Sequence, residues 1–356
     1  MHKTHSIIAN GTTFSARTGE LILDAALASG ITFPHDCRAG RCGTCVARVV
    51  DGVTLGGQAP QRDAIYACQA RALADLELQF DVLPSVRTVS SRVASLTELT
   101  PDVVEVGLKL ARPIEYWPGQ YCSFTFSGFP QRCFSPTLPA DGSTTSAEMT
   151  LHVKRVRNGR VSGALGKTIT VGHRLKVEGP FGTAYFRPES DKRLVLIAGG
   201  TGYAPIVSIA SAALKEDRER SIALVVGARK ASSLYMIEGL FQLWRYPNVD
   251  VTIAISNLQK EISNVVRRGD PVDFVPQLAK NDVVYAAGAP AMVERVASLA
   301  ADADAGFYSD PFESSGAQSS DGWLGRTLRR LGEGLAQTGP FLRAESFAID
   351  EARLRA

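Results

Sequence analysis

Four cysteines crowd into the first fifth of this 356-residue chain. Cys37, Cys42 and Cys45 are spaced Cys, four residues, Cys, two residues, Cys, and Cys68 stands alone in Ala67-Cys68-Gln69. A cluster of two irons needs four converging thiolates; this spacing supplies three from one loop and Cys68 supplies the fourth from a distant segment. Gly40 and Gly43 let the loop turn tightly enough to aim its amides at sulfur. Structural zinc is the competing reading, but it usually takes two short pairs of ligands rather than a triplet and a remote single. His35 is expected to be structural, since a histidine-ligated cluster replaces two cysteines with two histidines.

Two further groups of residues suggest nucleotide chemistry. Arg132-Cys133-Phe134-Ser135 offers a cation for a pyrophosphate, an aromatic wall for a flavin ring and a hydroxyl near its redox-active nitrogen, although alone it reads more readily as a strand followed by a turn. Gly199-Gly200-Thr201-Gly202 follows the apolar run Leu194 to Ala198. Glycines at such a strand end let backbone amides approach a pyrophosphate, and a helix beginning near Pro205 adds its positive N-terminal dipole. Gly288-Ala289-Pro290-Ala291-Met292 follows a second apolar run in the same way.

These residues need elements to hold them. Ser6 to Ala9 and Thr12 to Phe14 read as a hairpin closed by Asn10-Gly11, and Glu20 to Ser29 as a helix ended by Gly30. Short strands with Gly/Pro turns run from Val103, including Cys122 to Phe126 after Trp117-Pro118-Gly119-Gln120-Tyr121, and predict a small β-barrel. From Arg193 the pattern changes to strands at Leu194 to Ala198, Ile222 to Val226, Val249 to Ile255 and Val283 to Ala287. Helical segments near Leu234 to Trp244 and Ala291 to Ala300 alternate with them, which predicts a doubly wound parallel sheet. The organisation expected is a multidomain α+β and α/β chain with domains at 1–83, 87–190 and 191–313 and an extension at 314–356. Cys122 and Cys133 are expected to pack in a core as small hydrophobes.

Composition narrows the function classes. With 45% hydrophobic and 21% charged residues the chain is that of a globular protein. Its 39 basic and 36 acidic residues leave a net charge of only +3, with no basic block for a nucleic acid or anionic membrane. Leu194 to Leu214 is uncharged, but its glycine loop and Pro205 argue for strand, loop and helix rather than a membrane span. The start lacks a signal-like apolar run, so a cytoplasmic location is expected.

The cysteine loop has the plant-type ferredoxin spacing and, through Gly40-Arg41-Cys42-Gly43-Thr44-Cys45, resembles the ferredoxin domains of bacterial oxygenase reductases. The Trp117 to Tyr121 turn, Arg132 to Ser135, Leu151 to Lys154 and Gly159 to Ser162 fall in the order of the ferredoxin-NAD(P) reductase superfamily. The resemblance implies an N-terminal β-grasp ferredoxin, an FAD-binding antiparallel β-barrel and an NAD(P)-binding sheet. It also implies that His152, Val153 and Lys154 line the flavin's side chain, and that Gly159, Arg160, Val161 and Ser162 open a helix whose amides bind the pyrophosphate. It places Gly199, Gly200, Thr201, Gly202, Gly288, Pro290 and Met292 at the nicotinamide nucleotide, and Phe312 as an aromatic covering the flavin, with a chain-end hydrophobic contact as its alternative. Ser135 and Thr201 are expected to orient the reacting rings.

Three departures from the family carry expectations. Phe134 replaces the usual tyrosine and loses a phenolic hydrogen bond. Ala287 replaces a cysteine that positions nicotinamide, which is expected to slow hydride transfer. His35-Asp36 replaces Tyr-Ser, and an acid beside the cluster is expected to lower its potential. Near the adenosine ribose, Arg229, Lys230, Ser232 and Ser233 include no acid, so NADPH is expected to be accepted alongside NADH.

The resemblance over residues 1 to 313 implies a monomeric reductase component of a bacterial aromatic-ring-hydroxylating, Rieske-type dioxygenase. Such a protein passes electrons from NADH or NADPH through FAD and a 2Fe-2S cluster to the oxygenase or a separate ferredoxin carrier. A di-iron monooxygenase or a deoxysugar dehydration system is the alternative acceptor, and a redox-sensing interaction protein the alternative class. After the linker-like Ser314 to Ser320, Trp323, Leu324, Leu328, Leu331 and Leu335 recur at helical spacing among Arg326, Arg329 and Arg330. Partner or membrane docking, self-packing and disorder stay open for that tail.

Overall fold

The computed structural model describes residues 3–59, 63–137, 147–188, 191–260 and 262–312. The tail beyond Phe312 lies outside the described residues.

Thr4–Ala9 (β1) and Thr12–Arg17 (β2) form the expected hairpin. Asn10 (φ 47°) and Gly11 (φ 79°) both take the left-handed conformation that a tight two-residue turn requires. The first helix, Ile22–Ala28 (α1), is shorter than Glu20 to Ser29 and buries Ile22, Leu23, Ala25 and Ala26. Val46–Asp51 (β3), Thr54–Leu55 (β4), Ala64–Tyr66 (β5), Arg71–Ala72 (β6) and Leu76–Gln79 (β7) follow. The main sheet runs β2-β1-β7-β3-β5 with β1 and β7 parallel, the β-grasp expected, and β4 and β6 form a separate ribbon.

The second sheet is antiparallel throughout. Arg87–Thr100 (β8), Val103–Leu110 (β9), Tyr121–Phe126 (β10), Arg132–Phe134 (β11), Glu148–Lys154 (β12) and Arg174–Phe181 (β13) lie in the order β11-β10-β13-β8-β9-β12. A bridge between Thr137 and Thr150 joins its two edges, closing a barrel around Val106, Leu108, Phe124, Leu151 and Val177. The helix expected to open at Gly159 is absent: the segment is a series of turns, with Gly163 N–H on the Gly159 carbonyl at 2.9 Å. Three glycines within Gly159 to Gly166 weaken helix propagation there.

The third sheet is wholly parallel. Arg193–Gly199 (β14), Tyr203–Glu216 (α2), Ile222–Ala228 (β15), Ile237–Trp244 (α3), Val249–Ile255 (β16), Val266–Arg268 (β17), Asp282–Gly288 (β18), Pro290–Asp302 (α4) and Gly306–Pro311 (β19) alternate along the chain. The strand order is β17-β16-β15-β14-β18-β19, so the winding direction reverses between β14 and β18. Edge strands β17 and β19 are not among the strands read from sequence, because neither is a long apolar run. Helix α3 starts three residues later than Leu234, after Met236 in the left-handed conformation (φ 54°). The uncharged stretch from Leu194 to Leu214 is strand, turn and helix, and among the described residues no helix is long and apolar enough to cross a membrane.

Arg187 ties the sheets together. Its guanidinium lies 4.0 Å from the Tyr185 ring centre and 3.7 Å from that of Tyr308 on β19, and it donates to Asp81, beyond β7, at 2.5 Å. A cation sandwiched between rings and paired with an acid is held by three forces at once, which fixes β19 relative to the barrel.

Candidate functional site

The four thiols of the first sheet meet two by two. Cys42 donates a hydrogen bond to Cys37, which pulls the Cys37 thiol down to about 5, and Cys45 does the same for Cys68, which falls to about 6. The donors Cys42 and Cys45 are pushed up in return, chiefly by those same bonds and then by burial. The amides of Ala39 and Cys42 both point at Cys37 Sγ, each at 3.4 Å, and the Gln69 side-chain amide approaches Cys68 Sγ at 3.7 Å. Among the described residues no group of three or more His, Cys, Asp or Glu side chains is gathered so as to hold one ion. Two thiol pairs with amide donors fit a two-iron cluster, one pair to each iron, better than the single tetrahedron that zinc demands. His35 bonds the Phe33 carbonyl at 2.9 Å and stays out of the thiol set.

On the barrel, Phe134 is half-buried and leans on Phe124 at 5.7 Å between ring centres. Arg132 donates to the neighbouring Gln131 carbonyl at 2.6 Å, Arg160 is exposed, and neither pairs with a carboxylate among the described residues. A half-open ring face and uncommitted guanidinium groups fit a flavin and its pyrophosphate. At the other expected positions, Val153 and Val161 turn their side chains into the barrel core at 2% exposure and Ser162 accepts a bond from Val156 N within its own turn, so what these residues can offer a bound group is their backbone. His152 is buried against Glu105 (3.3 Å) and the Tyr235 ring, and holds the Glu105 carboxyl below its usual range. Lys154 is exposed and pairs with Asp102 at 3.7 Å. Cys122 is a core residue as expected, but Cys133 is exposed, and its electrostatic neighbours include Asp36, Asp310 and Cys37.

The two glycine loops lie at the carboxyl ends of β14 and β18, at the reversal where open α/β sheets place their ligands. They pack backbone to backbone: a Cβ on Gly202 would stand 2.1 Å from the Ala287 carbonyl oxygen, and one on Gly288 2.7 Å from that of Gly199. Met292 closes on Gly199 in the same way, at 2.9 Å from a Cβ there. Gly200 is different, since at φ +57° a Cβ there would meet nothing within 4 Å. The loop is open at Gly200, as a nucleotide cradle requires, while Gly199, Gly202 and Gly288 keep the two strand ends in contact. Pro290 opens α4, and Arg229, Lys230 and Ser232 are exposed past the end of β15.

One residue escaped the sequence reading. Ser135 donates to Asp310 Oδ2 at 2.5 Å across 175 residues of chain. Asp310 pairs in register with Ala287, and Phe312 N–H donates to the Gly288 carbonyl at 2.7 Å. Strand β19 therefore joins the flavin motif to the nicotinamide loop, and burial pushes the Asp310 carboxyl up to about 6. Only its place on an unforeseen edge strand could have revealed it. Thr201 lies in the short turn of the β14 loop and forms no bond to this pair.

The chain matches known families along its length. A 2Fe-2S iron-sulfur cluster binding domain matches residues 7–73, an oxidoreductase FAD-binding domain residues 90–186, and an oxidoreductase NAD-binding domain residues 196–298. The ferredoxin–NAD(P)+ reductase component of naphthalene 1,2-dioxygenase/salicylate 5-hydroxylase systems from Ralstonia sp. is 32% identical over 303 residues, covering 81% of this chain and 90% of that protein. The ferredoxin–NAD+ reductase component of an alkene monooxygenase system from Xanthobacter autotrophicus is 32% identical over 249 residues, covering 66% and 75%. Among solved structures, the Amycolatopsis cytochrome P450 reductase GcoB superposes with a TM-score of 0.64 at 29% identity, over 87% of this chain and 99% of that one.

Proposed function

Because the chain belongs to the family of iron-sulfur flavoprotein reductases that serve multicomponent oxygenases, we propose that it carries electrons from NAD(P)H to a Rieske-type aromatic-ring-hydroxylating oxygenase or its ferredoxin. FAD, when bound, would take one hydride, and with it two electrons, from the nicotinamide and pass the electrons singly to a two-iron cluster, which is why the three modules belong together. The observation that carries the reading is the junction on β19, where Ser135, Asp310, Phe312 and Gly288 bring the flavin motif and the nicotinamide loop into contact. Arg132 and Arg160 bind phosphate, Phe134 forms a ring wall, Ser135 is held in one orientation by Asp310, and Phe312, tethered to Gly288, covers the ring from water. Cys37, Cys42, Cys45 and Cys68 hold the cluster. Thr201 and the open Gly200 receive the nicotinamide nucleotide. We place the protein in the cytoplasm, where thiols stay reduced, and as a monomer, since one chain supplies every group.

Relatives from dioxygenase, monooxygenase and cytochrome P450 systems leave the acceptor to experiment. Purified holoprotein is expected to reduce cytochrome c rapidly with NADH, and to deliver electrons faster to a Rieske oxygenase encoded beside it than to a di-iron monooxygenase. Slow or absent turnover with every acceptor would favour the redox sensor instead. The pyridine nucleotide gives a further prediction: with Arg229, Lys230 and Ser232 exposed and no acid among them, kcat/KM for NADPH lies within about a hundredfold of that for NADH. Steady-state kinetics with both nucleotides checks it.

A further inference from the structure

The cysteine loop is clasped to the barrel by a buried polar contact that the known chemistry does not require. Tyr121, 6% exposed on β10, donates from its hydroxyl to Asp36 Oδ2 at 2.5 Å and lies 3.4 Å from Thr44 Oγ1. Asp36 precedes Cys37 and Thr44 precedes Cys45, so one phenol touches the loop beside both thiol pairs. The clasp is extended by Gly182 N–H donating to Thr44 Oγ1 at 3.1 Å and by Thr183 Oγ1 donating to the Gly43 carbonyl at 3.2 Å.

The barrel side of the contact is built to keep the phenol in place. Its ring rests 5.7 Å from the Phe181 ring, and Gly182 (φ +89°) lets the backbone pass so close that a Cβ would stand 2.9 Å from the Tyr121 ring. The next residue on β10, Cys122, pairs in register with Phe134, the proposed flavin wall. The cysteine loop and the flavin wall are thus attached to adjacent positions of one strand pair. A hydrogen bond to a charged acceptor is the stronger kind, and the loop's remaining bonds to the barrel are of the weaker neutral kind.

We propose that Tyr121 is a positioning residue which, through Asp36 and Thr44, clamps the cysteine loop to the flavin strand and so sets the rate at which electrons cross between them. This rests on the electron-transfer reading, and the test separates the two. Stopped-flow with NADH resolves bleaching of the flavin from bleaching of the cluster in holoprotein of the parent, Tyr121→Phe, Asp36→Ala, Asp36→Asn and the Tyr121→Phe/Asp36→Ala double variant. Flavin bleaching is unchanged in all. Cluster bleaching slows about tenfold or more in Tyr121→Phe and in Asp36→Ala, and in the double variant no further than in Tyr121→Phe, which alone already removes the bond that Asp36 accepts. Asp36→Asn keeps a carbonyl acceptor and stays within about threefold of the parent.

Asp36→Ala and Asp36→Asn are equally neutral, so the difference between them reads the bond and not the field on the cluster. Hydrogen exchange of the Gly43 to Val46 amides gives a readout apart from turnover: it rises in Tyr121→Phe and not in Asp36→Asn. Parent-like cluster bleaching in Tyr121→Phe overturns the proposal, as does an Asp36→Asn variant as slow as Asp36→Ala. A parent whose cluster is never bleached by NADH overturns the functional reading instead.

Discussion

Cys68→Ala holoprotein loses its cluster colour and its inorganic sulfide, yet NADH still bleaches its flavin. Cytochrome c reduction falls by more than the 10- to 100-fold that losing a partner outside a metal's coordination sphere costs. The asymmetry follows from where the thiol sits. Cys68 and Cys45 are 3% and 2% exposed, and the Ala67 amide donates to the Cys45 carbonyl at 3.0 Å, so the backbone around the pair is fixed without the sulfur. Alanine is smaller and leaves that bond in place, which separates loss of a ligand from loss of the fold. Nothing in the barrel or the parallel sheet depends on Cys68, so hydride acceptance continues while single-electron delivery stops. Sulfide and ultraviolet-visible analysis of the purified variant checks the first half, and parallel stopped-flow and cytochrome c assays the second. A variant that keeps its full sulfide content would remove Cys68 from the ligand set.

What the sequence could disclose was local. Asn10-Gly11 announces its turn because few other pairs tolerate two left-handed residues, and Leu194 to Ala198 is apolar along its length because both sheet faces are covered. The cysteine spacing works likewise, since a short loop restricts which sulfurs can meet. Contacts between distant segments left no such mark. Asp36 and Tyr121 are 85 residues apart and Ser135 and Asp310 are 175 apart, and each looks like an ordinary surface polar residue until the sheets pack. Cysteine is usually a core residue, but Cys133 is the middle residue of β11, a short edge strand, and faces outward. The turn at Gly159 shows the converse: an order of motifs shared with a family fixed where the segment lies, while its own glycines decided its conformation.

Asp310 should give this protein a pH dependence that disappears in Asp310→Asn. Burial raises the carboxyl to about 6, against about 4 for an unfolded aspartate, and the bond from Ser135 offsets only part of that. The folded state therefore binds the proton more tightly than the unfolded chain. The stabilisation is fully present below pH 4, is lost as pH rises to 6, and leaves above that a constant deficit of about 3 kcal/mol. Asparagine has no charge to bury and still offers an oxygen to Ser135, so Asp310→Asn melts higher than the parent at pH 8 and at the same temperature at pH 4. The same proton marks the reaction. Because the carboxyl joins Ser135 to the strand that carries Phe312, the parent's rate of flavin reduction changes with an inflection near pH 6. In Asp310→Asn the profile is flat through that range, and above it the rate is about tenfold lower, because the charge that fixes the serine hydroxyl is gone. Ser135→Ala loses the same rate together with the inflection in it, while its melting temperature still reports a titrating Asp310, with the step moved upward because the hydrogen bond that favours the ionised form is missing. Melting curves and stopped-flow traces from pH 5 to 8 on the three proteins distinguish these outcomes. An inflection that survives in Asp310→Asn would assign it to another group.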